Sequence, residues 1–307
     1  GNLARLTYTD HMDVHPSWSR HGDRIMFSSD RFQAGPTIYT MDSDGSNQTR
    51  IAESVKGDSS PAWSPDISKA ALVRPGGGVG QVLTIERMGH LYTDVLRTEI
   101  GPGTDVSWAP NALTMAFARF ENDSYNIWVR DYDGSRQLLA SPTDDREPAW
   151  SPDSHRIAFV RETALYIVDV DTNTVTPIAT GAASVRAVAW SPWLDLPEDP
   201  LSRTRIAYIG WTDANGSGLH IIDADGTNDR WIVRHASQPT WSPDGTRIAF
   251  SASYVPPVGG ETLNDEIWLI DVDGTDPVRL TVDPARGPDD TWPTWAPDGT
   301  QIAFVSD

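Results

Sequence analysis

Pro239-Thr240-Trp241-Ser242-Pro243-Asp244-Gly245-Thr246-Arg247-Ile248-Ala249-Phe250 reads as a short strand, a tight Pro-Asp-Gly turn and an apolar strand leaving it. Gly supplies a positive φ at no steric cost, and Asp braces the turn amides, so the chain reverses within a few residues. The same unit recurs at Trp18, Trp63, Trp108, Trp150, Trp190, Trp241 and Trp295, at intervals of 45, 45, 42, 40, 51 and 54 residues. Working outward, the segment after each apolar strand holds a third strand, a second turn and a fourth strand. In the first repeat these are Thr37-Ile38-Tyr39-Thr40-Met41, the turn Asp42 to Asn47, and Thr49-Arg50-Ile51.

A period in the forties built from four short strands is the pattern of a β-propeller blade. The expected fold is therefore all-β, a single propeller domain over residues 1–307, with one blade per tryptophan and seven in all. Trp295 to Val305 supplies only two strands of a last repeat. Leu3-Ala4-Arg5-Leu6-Thr7-Tyr8 resembles a repeat tail, so the N-terminal strand is expected to close the last blade and remove an exposed sheet edge. The tryptophans are read as wedges between blades. Burying one removes about 200 Å² from water, worth on the order of 5 kcal/mol as an upper bound.

Composition narrows the function classes. The 24 glycines and 23 prolines suit many turns, and no apolar run is long enough to span a bilayer. A net charge of −19 repels phosphate backbones and anionic lipid, so neither nucleic acid binding nor membrane insertion is expected, and cationic partners are favoured. Zero cysteines exclude disulfides, thiolate metal sites and cysteine catalysis. Gly1-Asn2-Leu3-Ala4-Arg5 has no apolar signal-peptide region, which fits a cytosolic start or a trimmed mature chain.

The succession Trp-Ser-Pro-Asp-Gly, Ile-Ala-Phe, Ile-Tyr or Ile-Trp, and Asp-x-Asp-Gly resembles the TolB-type, WD-like propeller repeat, over nearly the whole chain. That resemblance implies a bacterial protein of periplasmic or secreted setting, and a fold met both in binding proteins and beside peptidases. The TolB-type propeller has six blades, whereas the seven anchors here give an expectation of seven.

Function is expected on the face where the loops vary in length, since loops on a rigid scaffold carry most binding sites. These include the glycine run 76–78, Phe120 to Ser124, Trp211 to Gly218 and the loop 253–265, while the insertion 193–201, with its tryptophan, leucines and acids, is a candidate partner contact elsewhere on the rim. Asp13, Asp58, Asp145 and Asp290 each precede an anchor by five residues. His15, Ser60, Asp105, Glu147, Ala187, Gln238 and Trp292 precede one by three. Both sets should ring the mouth of the propeller. Together with Trp211, the polar and aromatic members, Asp13, His15, Asp58, Asp105, Asp145, Glu147, Gln238, Asp290 and Trp292, form the expected surface for a protein or cationic peptide. Converging carboxylates also suit Ca²⁺ or Mg²⁺, with Asp13, His15, Asp145 and Asp290 as candidate ligands, although no cofactor is required. The competing reading is that each Asp braces its own loop.

No catalytic residues are assigned, because no Gly-x-Ser-x-Gly elbow, His-Glu-x-x-His or phosphate loop occurs. A non-catalytic binding scaffold is the leading expectation. A metal-assisted lyase or hydrolase at the mouth and an accessory domain of a larger peptidase are the alternatives. The Asp-x-Asp-Gly turns place Gly fourth, whereas an EF-hand loop needs it sixth, so they are hairpins.

Overall fold

A computed structural model describes residues 3–307 apart from 33–34, 52–53, 75–79, 88–94, 193–203, 215, 254–263 and 283–286. The glycine run 76–78, Trp193 with the insertion 193–201, and most of the loop 253–265 lie outside the described residues. Every regular element among the described residues is a strand. No helix among the described residues is long and apolar enough to cross a membrane.

The first blade is β1 (Asp13–Trp18), β2 (Arg24–Ser29), β3 (Thr37–Asp42) and β4 (Thr49–Arg50). The second is β5 (Ser59–Trp63), β6 (Lys69–Arg74), β7 (Gln81–Arg87) and β8 (Val95–Pro102). The third holds β9 (Thr104–Trp108), β10 (Met115–Glu121), β11 (Ser124–Arg130) and β12 (Ser135–Gln137). The fourth holds β13 (Asp145–Trp150), β14 (Arg156–Arg161), β15 (Ala164–Asp169) and β16 (Val175–Pro177). The fifth is β17 (Ser184–Trp190), β18 (Arg205–Thr212), β19 (Gly216–Asp223) and β20 (Arg230–Arg234). The sixth is β21 (Ala236–Trp241), β22 (Arg247–Ala252), β23 (Glu266–Asp271) and β24 (Val278–Arg279). Every pairing is antiparallel between neighbours in sequence.

The seventh tryptophan does not build a blade. β25 (Asp290–Trp295) and β26 (Ile302–Ser306) form a two-stranded sheet. The propeller thus has six blades, not the seven expected from counting anchors. Counting failed because a tryptophan marks only the first strand of a repeat, and a blade also needs the third and fourth. Closure by the N-terminal strand is not seen either, since Leu3–Tyr8 forms no strand and pairs with no sheet. That segment instead lies against the first blade, where Gln48 Nε2 donates to the Leu6 carbonyl at 2.9 Å and Leu6 packs near Trp18 and Met41.

Innermost strands β1, β5, β9, β13, β17, β21 and β25 each touch the next, and β25 touches β1, so the ring closes through packing. Between blades sit apolar clusters in which the second and third strands of one blade meet the tryptophan of the next. One example joins Ile127, Val129 and Leu138 to Trp150, Ile157 and Phe159. Five anchors are buried, while Trp108 and Trp295 are half-buried, in keeping with the wedge role. A buried indole usually finds a hydrogen-bond partner for its N–H, and several anchors here do. Trp63 Nε1 donates to the Ser17 carbonyl at 3.0 Å, Trp108 to Ala62 at 3.1 Å and Trp241 to Ala189 at 3.0 Å. In each case the acceptor is the residue just before the previous anchor.

Candidate functional site

All innermost strands carry the same irregularity. Their register with the second strand slips between Val14 and Ser17, Ser59 and Ala62, Arg146 and Ala149, Arg186 and Ala189, Ser237 and Thr240, and Thr291 and Thr294. β9 slips where Ala116 and Ala118 of β10 face it. Such a bulge leaves one residue unpaired and re-aims it. Here the residue is His15, Ser60, Asp105, Glu147, Ala187, Gln238 or Trp292, and its φ lies at 53°, 51°, 55°, 54°, 52°, 51° or 55° respectively. The left-handed region costs an L-residue roughly 1–2 kcal/mol, so seven repetitions mark a built feature of the fold.

Five of the seven precede a proline: Pro16, Pro61, Pro148, Pro239 and Pro293. Proline lacks the N–H a ladder needs and is tolerated in a strand at a bulge. An X-Pro pair ending two residues before the tryptophan was therefore a legible bulge signal.

The bulge side chains link neighbours around the axis. Glu147 N–H donates to Asp105 Oδ2 at 3.4 Å, and Ala187 N–H donates to Glu147 Oε2 at 2.5 Å. Trp292 N–H donates to Gln238 Oε1 at 2.8 Å, and His15 meets the Trp292 indole edge-on with ring centroids 4.8 Å apart. Burial pushes the Glu147 carboxyl above its usual range; the Ala187 N–H opposes this and the Asp105 charge reinforces it. Burial lowers His15, whose buried Nδ1 has no partner among the described residues. A cleft of about 450 Å³ opens between the fourth and fifth blades beside Glu147, lined also by Asp144, Arg146, Glu162 and Arg186.

The other aspartates stand one step further out, at the starts of the innermost strands. Asp58 and Asp145 are fully buried, and each meets an arginine from the end of its second strand. Arg74 reaches Asp58 at 2.7 Å, and Arg161 grips Asp145 at 2.7 and 2.9 Å. Asp13 is held by Arg31 at 2.9 and 2.8 Å, and that guanidinium also lies over the Tyr39 ring at 4.7 Å. Asp58 additionally accepts from Val55 N–H at 2.8 Å, which is a loop brace. For Asp145, burial raises the carboxyl, Arg161 opposes and Asp144 adds to the rise. Asp290 is buried at the start of β25, and its N–H donates to the Asp265 carbonyl at 2.8 Å. Trp211 lies half-exposed at the end of β18, opposite Ser184 at the start of β17.

First strands begin and second strands end on one face, so every one of these residues belongs to it. They form an inner bulge ring, an outer set of carboxylates, and Trp211. No group of three or more His, Asp or Glu side chains among the described residues is arranged to hold a metal ion. The arginine partners of Asp13, Asp58 and Asp145 were missed in the sequence, although Asp58 and Asp145 each stand 16 residues before theirs.

A ring of antiparallel blades wedged by tryptophans, with a polar bulge residue from each innermost strand at its mouth, defines a β-propeller of the repeat type suggested by the sequence. The family model described as the TolB beta propeller domain matches residues 1–135 and 32–194, more than half of the chain, and the chain belongs to that family. The Tol-Pal system protein TolB of Francisella tularensis subsp. mediasiatica (strain FSC147) is 28% identical over 258 residues, 78% of this chain and 56% of that protein. The chain thus spans about half the length of that curated relative. TolB from Acinetobacter baumannii superimposes with a TM-score of 0.57 at 17% identity, covering 81% of this chain and 60% of the other. Oligogalacturonate lyase from Vibrio parahaemolyticus gives a TM-score of 0.69 at 12% identity, covering 98% and 89%. At such identities both structures show the shared fold alone.

Proposed function

We propose that this propeller is a non-catalytic binding scaffold that holds a protein or peptide, cationic at the point of contact, on the face bearing the bulge ring. The carrying observation is that seven rigid, identically placed backbone positions present seven different side chains there. Preorganised groups lose little entropy on binding. Asp105 and Glu147 place two carboxylates side by side, Trp292 and Trp211 offer exposed indoles, and the net charge of −19 attracts cations from a distance. The relatives being Tol-Pal system proteins of bacteria supports a periplasmic or secreted setting.

Panning a random peptide library against the whole chain tests the reading. Selected peptides should be rich in Lys and Arg, and their affinity should fall with salt. Binding should weaken about tenfold or more in the Asp105→Asn, Glu147→Gln double variant. Equal binding by that variant would overturn it. For the setting, the chain should be recovered from the envelope or medium of its native cells, and recovery from cytosol would refute that part.

A further inference from the structure

In the second and fourth blades an Asp and an Arg meet at one register. Asp58 and Arg74, like Asp145 and Arg161, stand sixteen residues apart, around the start of an innermost strand and the end of its neighbour. Arg161 also lies over the Phe159 and Tyr166 rings while it grips Asp145, so rings and carboxylate hold the guanidinium together. In the fifth and sixth blades both partners are gone. Val185 faces Gly210 at that register, and Ala236 faces Ala252.

The third blade keeps the Arg without the Asp. Arg119, late in β10, stands sixteen residues after Gly103 and lies over the Trp128 ring at 4.2 Å. Its side chain is 23% exposed, its one ion pair among the described residues is with Glu121 at 3.5 Å, and its buried Nε has no partner there. Trp128 Nε1 is a second buried donor without a partner among the described residues, whereas Trp268, at the same register of the sixth blade, donates to the Ala252 carbonyl at 3.1 Å. Buried donors are nearly always satisfied, and a guanidinium taken out of water is ordinarily matched to a carboxylate. Position 103 cannot supply one, since a Cβ there would stand 2.8 Å from the Ala118 carbonyl oxygen and 2.9 Å from the Phe117 ring. Beside Gly101 the space is open: a Cβ there would meet only Arg119 Nη1, at 3.9 Å.

We propose that Arg119 receives a carboxylate carried by the partner peptide, in the role that Asp58 and Asp145 fill in the second and fourth blades. A guanidinium and a carboxylate match through two parallel hydrogen bonds, the geometry Arg161 already makes with Asp145. A simple anion is repelled by the net charge of −19, so the carboxylate has to arrive on a ligand that is also cationic. The second contact is at hand. Asp105 lies two residues along the chain from Gly103, roughly 7 Å in an extended strand, and the Glu147 N–H donates to it. A chain ending in lysine spans that gap with its four-carbon stem. This deepens the peptide reading above and rests on it for the cationic contact alone.

Isothermal titration of the whole chain at fixed ionic strength tests this with three synthetic probes. Acetyl-Gly-Lys carries a terminal carboxylate, acetyl-Gly-Lys-amide keeps the cation alone, and acetyl-Asp-Lys-amide carries its carboxylate on a side chain. A carboxylated probe should bind about tenfold tighter than the plain amide, and the tighter of the two acids identifies the source. Arg119→Met should erase that margin while leaving the urea midpoint unchanged or higher, because it removes a poorly matched charge. Glu121→Gln should widen the margin by removing the carboxylate that competes for the guanidinium. The Asp105→Asn, Glu147→Gln double variant should weaken all three probes and keep the margin, so indifference to that variant sinks the cationic contact and leaves the Arg119 site standing. Equal binding of acid and amide, no binding by either acid, or a margin that survives Arg119→Met would overturn the proposal.

Discussion

The Trp18 indole N–H donates to the Thr294 carbonyl at 3.2 Å, joining residues 276 positions apart in the chain. It is the same bond that Trp63, Trp108 and Trp241 make to the blade before them, so the seam between β25 and β1 is sewn by the stitch used elsewhere. Trp295 completes the series by donating to Thr240 at 3.3 Å. Trp150 and Trp190 are the exceptions, with buried indole nitrogens that have no partner among the described residues.

That contrast predicts unequal costs for one substitution. Trp18→Phe loses a net hydrogen bond worth about 1 kcal/mol, on top of lost packing. Trp150→Phe loses packing but relieves an unsatisfied donor. Urea unfolding should therefore show Trp18→Phe to be the more destabilising by about 1–2 kcal/mol. Equal losses would mean that the indole bonds contribute nothing.

Bulge strain can be measured where the side chain does least. Ala187 holds φ 52° and ends the Asp105–Glu147 relay through its N–H alone. Ala187→Gly should stabilise the protein by roughly 0.5–1 kcal/mol, and Ala187→Val should destabilise it by more. Glu147→Gly at the same backbone angle should gain less, because it also removes the acceptor for the Ala187 N–H.

Removing Arg161 leaves Asp145 charged, buried and without its guanidinium. At pH 7 Arg161→Ala should cost about 3 kcal/mol. Burial already raises the Asp145 carboxyl and Arg161 opposes that rise, so its loss raises the folded pKa further. A raised carboxylate penalises the fold above its folded pKa, and the penalty disappears as pH falls through it. The deficit should therefore shrink on acidification. Added Ca²⁺ or Mg²⁺ should leave the melting temperature of the unaltered protein unchanged, because arginines already occupy Asp13, Asp58 and Asp145.

The turn aspartates push the other way. Burial would raise Asp153, but bonds from Ser151, the His155 N–H and Arg156 outweigh it and hold the carboxyl low. Asp66 is lowered in the same manner, and Asp244 first by Ser242. Depressed carboxylates add stability that is present above the unfolded value near ~4 and lost as pH falls through their folded values. Urea midpoints should drop between pH 5 and pH 2.5, and Asp153→Asn should flatten part of that fall.

The repeat made the strands legible, because Gly, Pro and Asp punctuate turns by local stereochemistry and Trp recurs at a fixed place in each unit. Blade number was not legible. It depends on whether a third strand follows β26, a non-local matter that no anchor reports. The face that gathers the candidate residues could be read from strand direction, and the positions three before each anchor do share one backbone geometry. What escaped was pairing at a distance: Arg74 and Arg161 come from the far ends of second strands and Arg31 from just beyond one, and only the folded sheet sets them against Asp58, Asp145 and Asp13.

The bulge ring also bears on how such a molecule diversifies. Its backbone angle varies by only a few degrees while its occupants are His, Ser, Asp, Glu, Ala, Gln and Trp. Shape is supplied by the strand and the frequent following proline, so identity at each address is free to drift without redrawing the scaffold. Selection, or a protein engineer, can thus rewrite the mouth one address at a time, keeping a stable frame while exchanging the partner it recognises.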